Sequence, residues 1–511
     1  MDNYNEYDEM AYKKAKEDWV TGHEGGSMWE INSVSGVVLT SYILWAAAAK
    51  HTNIFKYSTS SIINLFLEYV LIVLPSLLAC TLLADYAFYL NVLLLILTGF
   101  IIKNSSIPED QKPQKKKKKW DKDSDDEDEK LEQLLVKGDT SDPESSGINS
   151  DNLGKKPFLS VYRSSMILLT CIAILAVDFP VFPRRFAKVE SFGASLMDLG
   201  VGSFVFSSGI ISAKPFLKRP ENRFKPFKGQ LVRAFRRSLP LLALGFIRMM
   251  MVKGVDYQEH VSEYGKHWNF FFTLGLLPIL VTICRTVQKY TRFSFVGLAV
   301  AFFYQIALSW FGLQDYIQYA PRTNLVSANK EGIFSLWGYL SIFLLALDVG
   351  HYVLPLDPYY AFRPNRKHVK RPKQDKLLML LFSWAILSWI GFIFSLALQI
   401  EVSRQMANLS YILWVVTFNT TVLSMYQTIE MVFFFNYWKT DEKAMPKIFE
   451  AINSNGLLMF LLANILTGIV NLSIRTLYVN NLVAEGILAV YMLIISAAAM
   501  LFLDNGIKIG L

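Results

Sequence analysis

The sequence predicts an all-α integral membrane protein, a polytopic helical bundle of about 13 transmembrane helices. Three observations carry that expectation. Hydrophobic residues make up 52% of the 511 positions and charged residues only 18%. The apolar residues come in long unbroken runs, each near the roughly 20 residues needed to cross about 30 Å of hydrocarbon. The basic residues, in turn, collect in alternate loops between those runs. Cys80, Cys171 and Cys284 all fall in apolar runs, with no CxxC pair and no zinc spacing. Neither a disulfide framework nor a metal site is therefore expected. The net charge of +8 does not argue for nucleic acid, because it is confined to particular inter-span loops.

Taken in order, residues 1–30 are polar and lack the basic-then-apolar order of a cleaved signal peptide. The expected spans are Ile31–Ala49, Ser61–Leu83, Ala87–Ile102, Phe158–Asp178, Gly193–Ala213, Ser238–Val252, Trp268–Thr286, Phe293–Leu313, Ile333–Val353, Leu377–Ile400, Leu409–Phe435, Gly456–Ile474 and Ala484–Leu503. The weakest is Ser238–Val252, which is short and carries Arg248. This gives a lumenal N-terminal segment (1–30), a first group of spans (31–102), a loop (103–157), a second group (158–503) and a tail (504–511).

Charge tests the count. An odd number of spans puts the termini on opposite sides. Thirteen spans place 37 Lys and Arg on the side of the 103–157 loop and 12 on the side of the N-terminus. The positive-inside rule then sets the N-terminus in the lumen and the C-terminus in the cytosol. The 103–157 loop holds the lysine run Lys115–Lys119 beside the almost wholly acidic 121–129. It has too few apolar residues to repay ordering, so disorder is expected. Residues 214–237 carry nine basic residues against Glu221, interleaved with phenylalanines, and are expected on the cytosolic headgroup surface.

The candidate site lies at the other side, where the fourth run ends. Ala176–Glu190 reads AVDFPVFPRRFAKVE. Asp178 closes the apolar run, and Pro180 and Pro183 forbid a continuing helix. Arg184, Arg185, Lys188 and Glu190 follow. Residue types alone fit an ordinary interfacial loop, with Asp178 ending a helix and Lys188 snorkelling, as well as they fit a site. Asp198 lies near the start of the next run. A second polar stretch supplies Glu259, His260, Glu263 and His267, with Trp268 and Asn269 beside them. These are further candidates for contact with a polar ligand, against the plainer reading of Trp268 as part of an aromatic belt. Asp348 and Glu430, acids inside spans, fit either a function or a packing hydrogen bond. No GxSxG elbow, P-loop or dinucleotide fingerprint is present.

Several ordered runs resemble the fungal inositol acyltransferase family of glycosylphosphatidylinositol (GPI) anchor synthesis. They include Lys16–Gly22 (KEDWVTG), Gly25–Ser27, Glu30–Asn32, Ala173–Pro180, Phe182–Glu190, Ser195–Phe206, Tyr257–Val261, Glu263–Gly265, His267–Phe271, Glu331–Ser335 and Ile452–Gly456. The resemblance implies an endoplasmic reticulum enzyme that moves a long acyl chain, typically palmitoyl, from acyl-CoA to the inositol 2-hydroxyl of glucosaminyl-phosphatidylinositol. It implies no tightly bound cofactor, acyl-CoA being a co-substrate, and partners that are these two lipids and the bilayer. The family's proposed essential Asp and Lys, ten residues apart, match Asp178 and Lys188.

That chemistry suits the residue types. An alcohol attacking a thioester needs a base for its proton and a cation for the developing oxyanion. Asp178 is the expected base. Lys188 either meets the oxyanion or orients Asp178 by pairing with it. Arg184 and Arg185 suit the phosphodiester of the inositol lipid, because a guanidinium meets phosphate bidentately. The acyl chain is expected between spans. The competing readings are a secondary transporter, against which no internal repeat is visible, and a lipid-binding membrane protein without chemistry.

Overall fold

A computed structural model describes residues 11–12, 14–16, 18–19, 21–52, 55, 61–104, 156–218, 227–254, 261–287, 290–362, 372–435 and 444–507. Residues 105–155 of the loop expected to be disordered, with its lysine run, the tail beyond 507, Glu259 and His260 lie outside them. Every described element is helical. Helices α1 (Met28–His51), α2 (Ser61–Glu68), α3 (Leu74–Cys80) and α4 (Ala87–Asn104) form the first group, and a π turn at Tyr69–Val73 fuses α2 to α3. The second group begins with α5 (Pro157–Ala176), α6 (Leu196–Ile211), α7 (Lys214–Lys218), α8 (Phe227–Gly254), α9 (Val261–Tyr264) and α10 (Phe270–Cys284). It continues with α11 (Phe293–Trp310), α12 (Leu313–Tyr319), α13 (Leu325–Ala328), α14 (Lys330–Val353) and α15 (Gln374–Ala397). It ends with α16 (Leu409–Phe433), α17 (Lys447–Ser454), α18 (Gly456–Ser473) and α19 (Asn481–Asp504).

Eleven of these helical stretches are long and apolar enough to cross a membrane. The protein is therefore a polytopic helical membrane protein. Two of the thirteen expected spans fall short. Helix α10 has only 15 residues, and α8 runs on for 28, taking in Lys228, Arg233, Arg236 and Arg237 of the basic segment expected on the headgroup surface. The two are consecutive and pack on each other. Counting both as spans or neither leaves the parity, and so the side of every other loop, unchanged.

The core is built where polar and small residues let helices approach. Helices α5 and α14 are the most enclosed, 78% of each span being buried, whereas α4 and α18 bury 17% and turn apolar faces outward. Helix α14 packs along α6 and α11. A Cβ on Gly209 would collide with the Phe343 carbonyl oxygen, and one on Gly350 with the Ile210 carbonyl oxygen, so glycine sets the spacing of α6 and α14. The acids inside spans make packing contacts. Glu430 accepts the Phe158 N–H at 2.8 Å, which caps the start of α5. Glu68 likewise accepts from Lys447 and Ile448 at 2.9 and 2.7 Å, capping α17.

Candidate functional site

The chain leaves α5 through a tight turn that puts Asp178 just beyond the helix. Asp178 N–H donates to the Leu175 carbonyl and Phe179 N–H to that of Ala176, so the helix unwinds into short-range bonds where Pro180 stops it. Phe179, Phe182 and Phe186 are fully buried and anchor the loop in the bundle. The Arg184 guanidinium braces it from within. It stacks on the Trp19 ring at 4.0 Å and donates to the Val177 carbonyl at 2.7 Å, with longer contacts to the carbonyls of Phe182, Trp19 and Phe179. Burial pulls its pKa down to about 10, opposed by Asp178, so it stays charged at neutral pH.

The N-terminal segment docks on the far part of the same loop. Gly26 N–H donates to the Ala194 carbonyl at 2.8 Å, and Glu190 N–H to that of His23 at 3.3 Å. Gly25 and Gly193 make this possible, with φ of +86° and +134°. A Cβ on either would strike the facing carbonyl, of Ala194 and Glu24 respectively.

Asp178 is half-buried and receives one side-chain hydrogen bond. Asn471 Nδ2, in the last turn of α18, donates to its Oδ2 at 2.7 Å. The other end of that amide, Oδ1, accepts from Lys16 Nζ at 3.1 Å. Burial pushes the Asp178 carboxyl up from the ordinary carboxylate range, while the Asn471 bond and the charges of Lys16 and Arg184 restrain the rise.

Lys188 does not pair with Asp178, so the orienting role expected for it is corrected: its ammonium donates to Glu263 Oε2 of α9 at 2.8 Å. The Pro180–Pro183 turn leads the chain away from the helix end and delivers Lys188 to a different neighbour. Asp198, expected to meet a ligand, is instead enclosed. It accepts from Val189 N–H at 3.1 Å and from Ser195 Oγ at 2.8 Å, and pairs with Arg404. Both side chains of that pair are 1% exposed. Ser195 is the N-cap of α6 and its hydroxyl accepts the Asp198 N–H in return. Glu30 and Asp85 both pair with Arg185.

Three more candidates serve the local fold. Asn269 caps α10 by accepting from Phe271 and Phe272 and ties it to α8 by donating to the Gly245 carbonyl. Trp268 lies against Gly332 and donates to Thr273 at 3.0 Å. The His267 backbone N–H is held by Asn329 at 2.7 Å. Of the thiols expected mid-span, only Cys171 lies within its helix, Cys80 and Cys284 being the last residues of α3 and α10. Lys16 lies in the run Lys16–Gly22 but is not marked there as a site residue. Nor is Asn471 marked, whose one signal is a polar side chain near the end of an apolar helix.

A crevice of about 230 Å³ opens between α1, α5, α15 and α16. It is mainly apolar, with Met28, Leu39, Leu169, Trp414 and Phe418 among its walls and Asn32 beside them. The first turn of α1, which contributes Met28 and Asn32, also carries the Glu30 that binds Arg185. Helix α1 thus lines the crevice and, through Glu30, holds the Asp178-bearing loop.

A helical membrane protein with a charged cluster at one end of the bundle and an apolar crevice below it is the class these features define. The particular family comes from comparison: the GWT1 family model matches residues 12–502. Proteins named GPI-anchored wall transfer protein 1 align over nearly the whole chain. That of Gibberella zeae is 39% identical, over 96% of this chain and 97% of its own. That of Aspergillus fumigatus is 39% identical, over 98% and 99%, and that of Saccharomyces cerevisiae 38%, over 91% and 92%. The chain belongs to the GWT1 family.

Proposed function

We propose that the protein is an acyltransferase of GPI-anchor biosynthesis in the endoplasmic reticulum. It moves a long acyl group, such as palmitoyl, from acyl-CoA to the inositol 2-hydroxyl of glucosaminyl-phosphatidylinositol. Asp178 carries the reading: a half-buried carboxylate at the membrane edge with one oxygen held by Asn471 and the other, Oδ1, without a hydrogen-bond partner among the described residues. Desolvation raises its basicity above that of an ordinary carboxylate, which suits a general base.

In the reaction, Asp178 Oδ1 takes the hydroxyl proton as the inositol oxygen bonds to the thioester carbonyl carbon. The C–S bond then breaks, and CoA leaves as a thiolate that recovers the proton. Lys188, held by one contact to Glu263, meets the oxyanion with its remaining N–H groups. Arg184 has both Nη groups turned to carbonyls, and the more exposed Arg185 is the better cation for the phosphodiester. The acyl chain lies in the crevice between α1, α5, α15 and α16. The site faces the lumen, as the basic loops on the opposite side favour.

Incubating the purified protein with labelled acyl-CoA and glucosaminyl-phosphatidylinositol tests the reading. It predicts a labelled inositol ester, and absence of product from folded protein contradicts it. Leu169→Trp, which narrows the crevice, is expected to shift preference towards shorter acyl chains. An unchanged chain-length profile would remove the crevice from the account.

A further inference from the structure

We propose that Asn471, itself held by Lys16, is the positioning residue that fixes the Asp178 carboxylate and directs its free oxygen at the substrate hydroxyl. The inference rests on the reading of Asp178 as the base. It stands on a chain of three groups brought together from distant parts of the sequence. Lys16 comes from the N-terminal segment, Asp178 from the end of α5 and Asn471 from the last turn of α18.

The chemistry of the neighbours decides which way the amide points. An ammonium only donates and an ionised carboxylate only accepts. Lys16 therefore selects Oδ1 of Asn471 and Asp178 selects Nδ2, as the distances of 3.1 and 2.7 Å place them. A flipped amide would set oxygen against carboxylate and NH₂ against ammonium, two repulsions in place of two attractions. Thr476, fully buried in the turn after α18, adds a 3.5 Å contact to the same Oδ1. Lys16 also lies over the Tyr12 ring at 5.4 Å, which limits its swing. The amide is thus held from one side and holds Asp178 on the other. With Oδ2 engaged, Oδ1 remains for proton transfer, and the plane of the carboxylate is set by the Asn471 bond. A base aligned in this way is worth more than a freely rotating one.

The groups around Asp178 from every packed element are few. Lys16 faces it from the N-terminal segment and Arg184 from its own loop. Asn471 faces it from α18, and Tyr491 from α19, whose hydroxyl donates to the Cys171 carbonyl of α5 at 3.0 Å. Among the described residues Asn471 is the one side chain that hydrogen-bonds the carboxylate, and that bond favours its charged form. Removing the bond therefore raises the carboxyl pKa, and the acid limb of the pH–rate profile moves to higher pH. Neutralising Lys16 acts in the same direction and more weakly, through one intervening amide.

The test is a set of pH–rate profiles on the purified full-length protein and four variants, each with its melting temperature. Asn471→Leu keeps the size and loses the donor. Its turnover is expected to fall about tenfold or more, the factor for a lost hydrogen bond to a charged group. Its acid limb should move up, with KM little changed. Asn471→Gln keeps the amide and should recover part of the turnover and return the limb towards its original position. Lys16→Met lies outside the bundle, so it reads the same coupling even where Asn471→Leu fails to fold. It should move the limb the same way by a smaller amount. An acid limb unmoved in Lys16→Met and in whichever Asn471 variant folds, with Asp178→Asn inactive, overturns the positioning role and leaves the base in place. An active Asp178→Asn removes the reading on which the inference rests.

Discussion

Asp178 and Asp198 stand 20 residues apart, at the end of one helix and the start of the next, and the bundle treats them in opposite ways. Asp198 is saturated. An arginine, a serine hydroxyl and a backbone N–H all meet its carboxylate, and its own N–H returns a bond to the cap. Asp178 is held on one oxygen by a neutral amide, and its two nearest cations face it without a direct ion pair. An acid whose acceptors are all engaged has no lone pair left for a substrate proton. The lesson is that the saturated acid builds the loop and the unsaturated one is free to react. In an apolar helical protein the two are told apart by their partners, not by residue type.

The largest effect separating them is on stability. Arg404→Met leaves Asp198 buried and unpaired, and should cost about 3–5 kcal/mol, read as a fall in melting temperature. The double variant Asp198→Leu with Arg404→Met is expected to recover much of that loss, because most of the cost is the stranded charge. A double variant as unstable as the single would mean that packing, not the ion pair, holds this corner.

A smaller stability loss is expected at the brace of the Asp178 loop. Arg184→Lys gives up the planar stack on Trp19 and cannot reach the same set of carbonyls. It should cost about 1–3 kcal/mol for the unpaired carbonyls, by thermal unfolding. Turnover should fall as well, since the loop carries Asp178. The smallest effect is at Arg185. Its side chain is 35% exposed and its partner Asp85 lies largely in the open. Arg185→Ala should change stability by only about 0.2–1 kcal/mol. If Arg185 meets the phosphodiester, the larger change will be a raised KM for the inositol lipid.

Much of this was legible in the chain. Apolar runs of span length located the helices, and the unbroken stretch of a Pro-bounded acid located the end of α5. The short α10 and the charged first turns of α8 were harder. Trp268 opened the expected span and Asn269 was expected to meet a ligand, whereas Asn269 is the cap of a helix only 15 residues long. The partners of the site residues were not legible at all. Lys16 and Asn471 are 455 residues apart, and nothing in local periodicity couples them. Lys188 and Glu263 are 75 apart, and the resemblance marked Asp178 and Lys188 as essential without saying whether they touch. Asp198 and Arg404 were each visible as a charge beside a span. Their mutual burial depends on α6 and the 398–408 loop meeting, which only the packed bundle decides.

The most direct test is turnover of Asp178→Asn, measured beside its melting temperature. The substitution keeps size and much of the hydrogen bonding but removes proton acceptance. General-base catalysis contributes about 10²–10⁴-fold. The account predicts a loss of at least about 100-fold in turnover, with substrate affinity little changed and a melting temperature near that of the unaltered protein. In the unaltered protein the same account places the acid limb of the pH–rate profile above the ordinary carboxylate range, because burial raises the Asp178 carboxyl and the base works only when ionised. Near-normal turnover by folded Asp178→Asn would contradict the account at its centre.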